Sequence, residues 1–584
     1  MTLIQVVPSA DWGTSAFAGT ANPGNLSSTT TPDSAIGAYI IDAGQASGSP
    51  LKQTIAQGLK PYGLVYALVK AKIPVQWIIN PDKSAISQAN GNSDTDFSFA
   101  CTGTSTKQYR SGAFVIAPEF GKQAAGIIAA FKATTSITTN TGTATVNNSG
   151  VVVDGPCTNP LPSLRVYATI KSWPRVALDA QNGSVAIPYF TNAGIPYLQA
   201  GEVITNPLTP PSYRFVAPSA LTACDDVYVM PHADPTYATH SNLIQFVKNG
   251  GDFYASCHAV SVVENMTNGT DLNTKVMNFL STNGLVNYDL HVQGSPSYKI
   301  YETSTISEIT YTNSYISNYA DGVTASNSSA TSTSYTLTGL APGDPIAQFI
   351  GVTDAAQQQG SEQIFMPTAN SRWRPTTQIV VYDPTQANVT GGVSSPAIGS
   401  TPASATCSGT SSVCSVGPAA SVVYGPAFGN SDYGQVMYVG GHSSNKGTAD
   451  DVAAQRLFFN FLLLASVNSK PTPTTTDRTP SVSLRDFGTT KLLSGQTISV
   501  SGAATGGSGV FRYQWAAACY DRDGNKVEIP SSQFLNSTSA TTSFTTPSYS
   551  GIANCNLTLT AIDSCGRYAF GYQSVAITPE SDIK

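Results

Sequence analysis

Short, almost unbroken apolar runs alternate with segments of helical periodicity over the first half of the chain. IGAYIIDAG (36–44) predicts a strand. In Pro61–Ala71 apolar residues recur at Leu64, Val65, Leu68 and Val69, the spacing of a helix with one buried face, and VQWIIN (75–80), opened by Pro74, predicts a second strand. Together they read as one βαβ unit. SGAFVIAPE (111–119) with GKQAAGIIAAFKA (121–133), and RVALDA (175–180) with the helical stretch after it, repeat the pattern. Strands apolar on both faces belong to a parallel sheet covered by helices, so the fold class expected is α/β, an open, doubly wound, mostly parallel sheet.

The clearest unit is residues 225–265. Val227–Met230 predicts a buried strand; Thr239 or Ser241 caps a helix with the stripe Leu243, Ile244, Phe246 and Val247; Gly250 and Gly251 stop it; Asp252–Ser256 is the next strand. A right-handed crossover makes the two strands parallel neighbours, so His232 and Cys257 emerge at one sheet edge, the edge where open α/β sheets bind ligands. Beyond residue 290 the pattern turns to polar, Tyr/Thr/Ser-rich alternation (Tyr298–Thr338), suited to exposed antiparallel strands. QIVVYD (378–383) and QVMYVGGHSS (435–444) resume buried strands, and Thr448 caps a helix over Ala449–Ala465. The domain limits expected are a low-complexity segment 1–34, an α/β domain 35–466 with β-rich insertions near 290–375 and 385–430, a Pro/Thr-rich linker 467–480, and a β-sandwich 481–584. Gly506–Gly509 lies between two of its strands and reads as a hairpin turn rather than a phosphate loop.

Composition narrows the function classes. Of 584 residues only 11% are charged, and the net charge is −6, so there is no basic footprint for nucleic acid and that partner is excluded. The longest apolar run, Leu457–Ala465, is interrupted by Asn460 and far short of a membrane span, so no membrane insertion is expected. No basic stretch followed by an apolar one stands in residues 1–34, so no secretion signal is visible there. A neutral surface rich in Ser, Thr and Gly suits an extracellular or cell-surface protein. The nine cysteines contain no Cys-x-x-Cys pair, which removes zinc ribbons and thioredoxin-like sites; Cys407 with Cys414, and Cys519, Cys555 and Cys565 in the last domain, favour disulfides and an oxidising compartment.

One stretch carries candidate chemistry. Tyr254-Ala255-Ser256-Cys257-His258-Ala259-Val260 has the form of a nucleophile elbow, a strand turning abruptly into a helix with small residues two before and two after the nucleophile. A thiol at a helix start is activated by the helix dipole, and backbone N–H groups of His258 and of the 232–234 loop would hold an oxyanion. A Cys in this position also serves as packing or as half of a disulfide, and Cys224 lies before the neighbouring strand. Four histidines (232, 240, 258 and 442) are expected near one edge, but the spacing of His232, Asp234 and His240 matches no strong metal motif, so no metal and no cofactor are expected.

With Gly250-Gly251, an apolar strand and Cys257-His258, residues 36–285 and 435–465 resemble the class I glutamine amidotransferase-like superfamily, including its DJ-1/PfpI and ThuA-like branches. That resemblance implies a flavodoxin-like sheet with Cys257 as nucleophile and His258 or His442 as base; His232, placed at the same edge by the strand pattern, is a further candidate catalytic residue. The chain departs from the pattern at Ala259, at Met230–Asp234 and at His442-Ser443-Ser444, where a Gly, a Gly-rich loop and a His-x-Glu are usual, so synthetase-coupled glutamine hydrolysis is not implied. The last domain resembles PKD or immunoglobulin-like modules of bacterial surface proteins, which implies Trp515 as core aromatic near Cys519, Cys555 or Cys565. Two functions follow as expectations. One is a structural or adhesive protein that uses the α/β domain as scaffold, self-associates into an extracellular layer or filament, or contacts surface proteins or glycans. The other is a cysteine-nucleophile hydrolase of the amidase or peptidase kind.

Overall fold

The computed structural model describes residues 37–44, 55–80, 95–199, 211–285 except 273, 344–348, single positions from 362 to 374, then 376–383, 419–442, 444–445, 449–467 and, with short gaps, 480–578. It is a mixed α/β protein with several sheets and a β-rich C-terminal region. The predicted exposed strands at 298–338, the cap Thr448 and the pair Cys407 and Cys414 lie outside the described residues.

The first sheet has the order β8 (Val153–Asp154), β1 (Tyr39–Ile41), β5 (Phe114–Ile116), β2 (Val75–Ile78), β9 (Val166–Ile170). The predicted helices appear as α2 (Lys60–Lys70, after the short α1, Ile55–Gly58) and α3 (Gly121–Ala133). β1, α2 and β2 form a split βαβ unit, with β1 and β2 parallel to each other, but β5 lies between them and pairs antiparallel with both, so this sheet is not the mostly parallel one expected. The reason is that an unbroken apolar run reports burial on both faces and says nothing about direction. The helices cover one face, while the hairpin β3 (Thr95–Phe99) with β4 (Lys107–Arg110) covers the other over Ile40, Ile78, Val115 and Val166, stapled by Cys101–Cys157. A second small hairpin joins β6 (Ser136–Thr139) to β7 (Gly142–Thr145).

The second sheet has the order β11 (Tyr213–Val216), β10 (Val176–Asp179), β12 (Val227–Pro231), β13 (Asp252–Ser256), β16 (Gln435–Val439), β15 (Ala419–Pro426), β14 (Gln378–Asp383). The first five are parallel, and β15 and β14 add antiparallel pairs. The parallel sheet therefore begins at residue 176, and β15 comes from the stretch read as an insertion. Between β10 and β11 runs α4 (Ile187–Ala193); between β12 and β13 run α5 (Tyr237–His240) and α6 (Asn242–Lys248). Neither Thr239 nor Ser241 accepts a capping hydrogen bond: Ser241 is itself helical, and α5 starts after Thr236 without a side-chain cap.

One helix joins the two sheets into a single core. α8 (Ala449–Val467) is apolar nearly all round, as a fully enclosed helix must be, and Leu457, Phe458, Phe461 and Leu462 are all buried. Phe459 stacks on Tyr62 of α2, while Phe458 meets Tyr189 of α4 and Tyr254 of β13 edge-on. Asn460 and the two terminal nitrogens of Arg456 find partners inside the protein. Tyr62 donates to Asn460 Oδ1 at 2.6 Å, Asn460 Nδ2 donates to the carbonyls of Ile346 and Gln348, and Arg456 donates to the Ala43 carbonyl of the first sheet. No described helix is long and apolar enough to cross a membrane.

The C-terminal region holds a three-stranded sheet, β17 (Ser481–Leu484), β19 (Thr497–Thr505), β22 (Thr541–Thr545), and a five-stranded one, β18 (Lys491–Leu493), β24 (Tyr568–Thr578), β23 (Ala553–Asp563), β20 (Phe511–Asp521), β21 (Lys526–Val527). Val482, Val500, Trp515, Phe544 and Leu559 fill the space they share. Trp515 is the expected core aromatic, and its Nε1 donates to the Ser539 carbonyl at 2.9 Å. Gly506–Gly509 is not a hairpin turn, because β19 and β20 belong to different sheets; the loop arches between them, with Gly506, Gly507 and Gly509 at positive φ. Cys519 and Cys555 stand opposite each other on β20 and β23, so their bridge lies within a sheet rather than between two, unlike the immunoglobulin pattern.

Cys565 does not join that pair. It crosses to Cys224, just before β12, and the cross-link is backed by Arg567 donating to Asp226 at 3.1 Å, Asn556 donating to the Glu119 carbonyl at 2.7 Å, and Lys72 over the Tyr568 ring. Expectation: a Cys224→Ser/Cys565→Ser double variant loses about 2–4 kcal/mol, and limited proteolysis then cuts between the α/β part and the C-terminal region; equal protease resistance of both proteins would refute the role of the cross-link.

Candidate functional site

The register of β12 and β13 sets Pro231 opposite Ser256, so the next residues, His232 and Cys257, leave the sheet side by side. Both turn through left-handed backbone, with φ of 47° and 59°, a conformation costing a non-glycine residue on the order of 1 kcal/mol or more. Neighbouring strands hold them there: the His232 N–H donates to the Ser256 carbonyl and the Cys257 N–H to the Val439 carbonyl of β16, each at 3.1 Å. Ala255 and Ala259 are completely buried, which is why small residues are needed around the elbow, and α7 (Ala259–Glu264) begins directly after it.

Three imidazoles meet at this turn. His232 Nδ1 lies 3.4 Å from Cys257 Sγ, and His258 Nδ1 lies 4.0 Å from it. The far nitrogen of His258, Nε2, is 2.9 Å from Asp234 Oδ1. His442, after β16, stacks on the ring of His232 with centroids 3.9 Å apart, and the His232 and His258 rings meet edge-on at 4.5 Å. Burial, then the neighbouring His258, push the His232 pKa below its usual value against the opposing pull of Asp234, so His232 is neutral at neutral pH. Cys257 is a thiol, and the alternative of a bridge to Cys224 is overturned by the Cys224–Cys565 disulfide.

Glu362 completes the surroundings, and sequence reasoning missed it. Its N–H donates to Cys257 Sγ at 3.4 Å, its carbonyl accepts from Gly441, and its carboxylate oxygen accepts from the Ser261 N–H at 3.4 Å. Burial raises the Glu362 carboxyl well above the usual range against the pull of the Ser261 hydrogen bonds. A single Glu inside a stretch read as an insertion carries no local signal. With this backbone over it the sulfur is closed off, and Cys257 is 0% exposed. Two of the N–H groups of the 232–234 loop, from which an oxyanion donor is expected, are engaged elsewhere: the His232 N–H on Ser256, and the Asp234 N–H on Gln181 Oε1 at 3.3 Å.

His240 is not brought into the group. It is buried with Nδ1 at 2.7 Å from Thr239 Oγ1, and the metal-type cluster found among the described residues is His232, Cys257 and His258 instead of His232, Asp234 and His240. No protein-family model matches the chain, and no curated protein matches it. Among solved structures the chain is similar to a nucleoside hydrolase-related hypothetical protein from Saccharophagus degradans that is associated with carbohydrate metabolism, at 17% identity over 25% of this chain and 35% of that one, with a TM-score of 0.15. The chain thus spans about a third of that protein's length.

Burial lowers the pKa of His240 in the folded protein. Below about pH 6.5 the unfolded chain takes up a proton that folded His240 resists, so this contribution is present above that pH and fades as pH falls. Thermal unfolding followed from pH 7 to 5 is expected to show a shallower decline for His240→Gln than for the parent; an equal slope would refute it.

Proposed function

We propose that this chain is a thiol hydrolase acting on an amide or ester carbonyl. One observation carries the reading: Cys257, in a left-handed turn at a sheet edge, has two imidazoles beside its sulfur, and one of them, His258, is backed by a carboxylate. Asp234 accepting from His258 Nε2–H leaves Nδ1 as the lone pair that faces the sulfur. The thiol proton passes to His258 Nδ1, the thiolate adds to the carbonyl carbon, and the leaving amine or alcohol departs with that proton. Water, deprotonated by the same imidazole, then cleaves the thioester. His232 steadies the thiolate from 3.4 Å, and substrate entry requires that the Glu362 backbone over the sulfur give way.

The parallel strands support a flavodoxin-like sheet, since their order β11-β10-β12-β13-β16 places the second strand outermost, then first, third, fourth and fifth. Three disulfides among the described residues, with the low charge, support an extracellular location. A second reading, a scaffold that assembles outside the cell, is favoured by the complete burial of the sulfur.

Alkylation separates them. Iodoacetamide at pH 7, with the labelled peptide mapped, is expected to modify Cys257 faster than a free model thiol, and His258→Gln or Asp234→Asn is expected to slow it at least about tenfold, while His442→Gln changes it little. A rate slower than the model thiol, indifferent to His258→Gln, would sink the hydrolase. Electron micrographs showing ordered assemblies of that unreactive protein would then favour the scaffold.

A further inference from the structure

We infer that His232, Cys257 and His258 form a binding site for a soft divalent cation of the zinc type, with one coordination position left open to solvent or ligand. A ring nitrogen of each histidine and the sulfur all lie within 4.8 Å of one another. A tetrahedral zinc with bonds of about 2.3 Å to sulfur and about 2.0–2.1 Å to nitrogen requires sulfur and nitrogen ligands about 3.6 Å apart. The two sulfur-to-nitrogen distances, 3.4 and 4.0 Å, bracket that value, so small side-chain rotations close the site.

The surroundings are those of a ligand set. His258 turns its other nitrogen to the Asp234 carboxylate at 2.9 Å, the outer partner that orients a metal-bound imidazole and raises its basicity. His232 is held by the stacked ring of His442 and by its own strained turn, whose carbonyl accepts from Asn182. One sulfur and two imidazoles select zinc or a similar soft ion and reject calcium and magnesium, which need oxygen ligands. His232 is only partly buried, so an ion reaches the group from that side. Coordination converts Cys257–SH to a metal-bound thiolate and releases one proton. The consequence for activity, that the occupied site silences the thiol, rests on the hydrolase reading; the binding itself does not.

Chelator-treated full-length protein titrated with Co²⁺ is expected to develop a thiolate-to-cobalt charge-transfer band saturating at one equivalent, and Zn²⁺ is expected to remove it. Cys257→Ser abolishes the band. Asp234→Asn, a change at an exposed position that leaves the three ligands in place, keeps the band but weakens zinc binding about 10–100-fold in competition with a chelator. No band in the wild-type protein, or a band surviving Cys257→Ser, overturns the site. Saturating Zn²⁺ is further expected to slow alkylation of Cys257 at least about tenfold. Slow alkylation of the metal-free protein with the cobalt band intact would refute hydrolysis and leave the metal site standing; fast alkylation without the band would refute the metal site alone.

Discussion

The site depends on the parallel pairing of three strands. β12, β13 and β16 run side by side in register and end at the same edge, where His232 and Cys257 come directly after their strands and His442 three residues after β16. The backbone bonds that continue past the strands, from His232 to Ser256 and from Cys257 to Val439, hold two non-glycine residues in left-handed turns they would not adopt alone. Strain of this kind persists only where the surrounding structure over-determines the backbone. Here the bonds to neighbouring strands do so, and the imidazoles follow the backbone into contact.

Rigidity behind that edge comes from a core without a seam. α8 fills the space between two sheets of different topology, and its Arg456 and Asn460 are tolerated because carbonyls and a tyrosine hydroxyl meet them. Left unmet, each such group would cost on the order of 1–3 kcal/mol. Other buried acids are handled the same way. Glu264 accepts from the N–H groups of Leu280 and Ser281 and from the Tyr438 hydroxyl, tying the end of α7 to β16. The C-terminal sheets are clamped onto this body through Cys224–Cys565 and the buried Arg567, so they are fixed against the α/β part instead of swinging on the Pro/Thr-rich stretch.

Much of the local structure was legible. The runs at 227–231, 252–256, 378–383 and 435–439 are strands, as expected of apolar segments too short for an enclosed helix such as α8, and Gly121–Ala133 is the helix its periodicity predicts. The elbow was legible too, since Ala255 and Ala259 mark the close approach that Cys257 needs. What misled was direction and distance. The antiparallel β5 between β1 and β2, the arch at Gly506–Gly509 and the partner of Cys565 depend on which surfaces meet, and a one-dimensional pattern contains no such term.

The order of residues by itself determined which segments are buried, where the chain turns, and that Cys257 and His232 end adjacent strands, because periodicity and turn chemistry are local properties. Only the tertiary structure decided that His258 is the imidazole backed by Asp234, that His442 reaches the sulfur's neighbourhood through His232, and that the backbone of Glu362 closes over the thiol. Those outcomes rest on contacts between residues as distant in the chain as His232 and His442, whose geometry is set by the packing of whole elements and not by any neighbour in sequence.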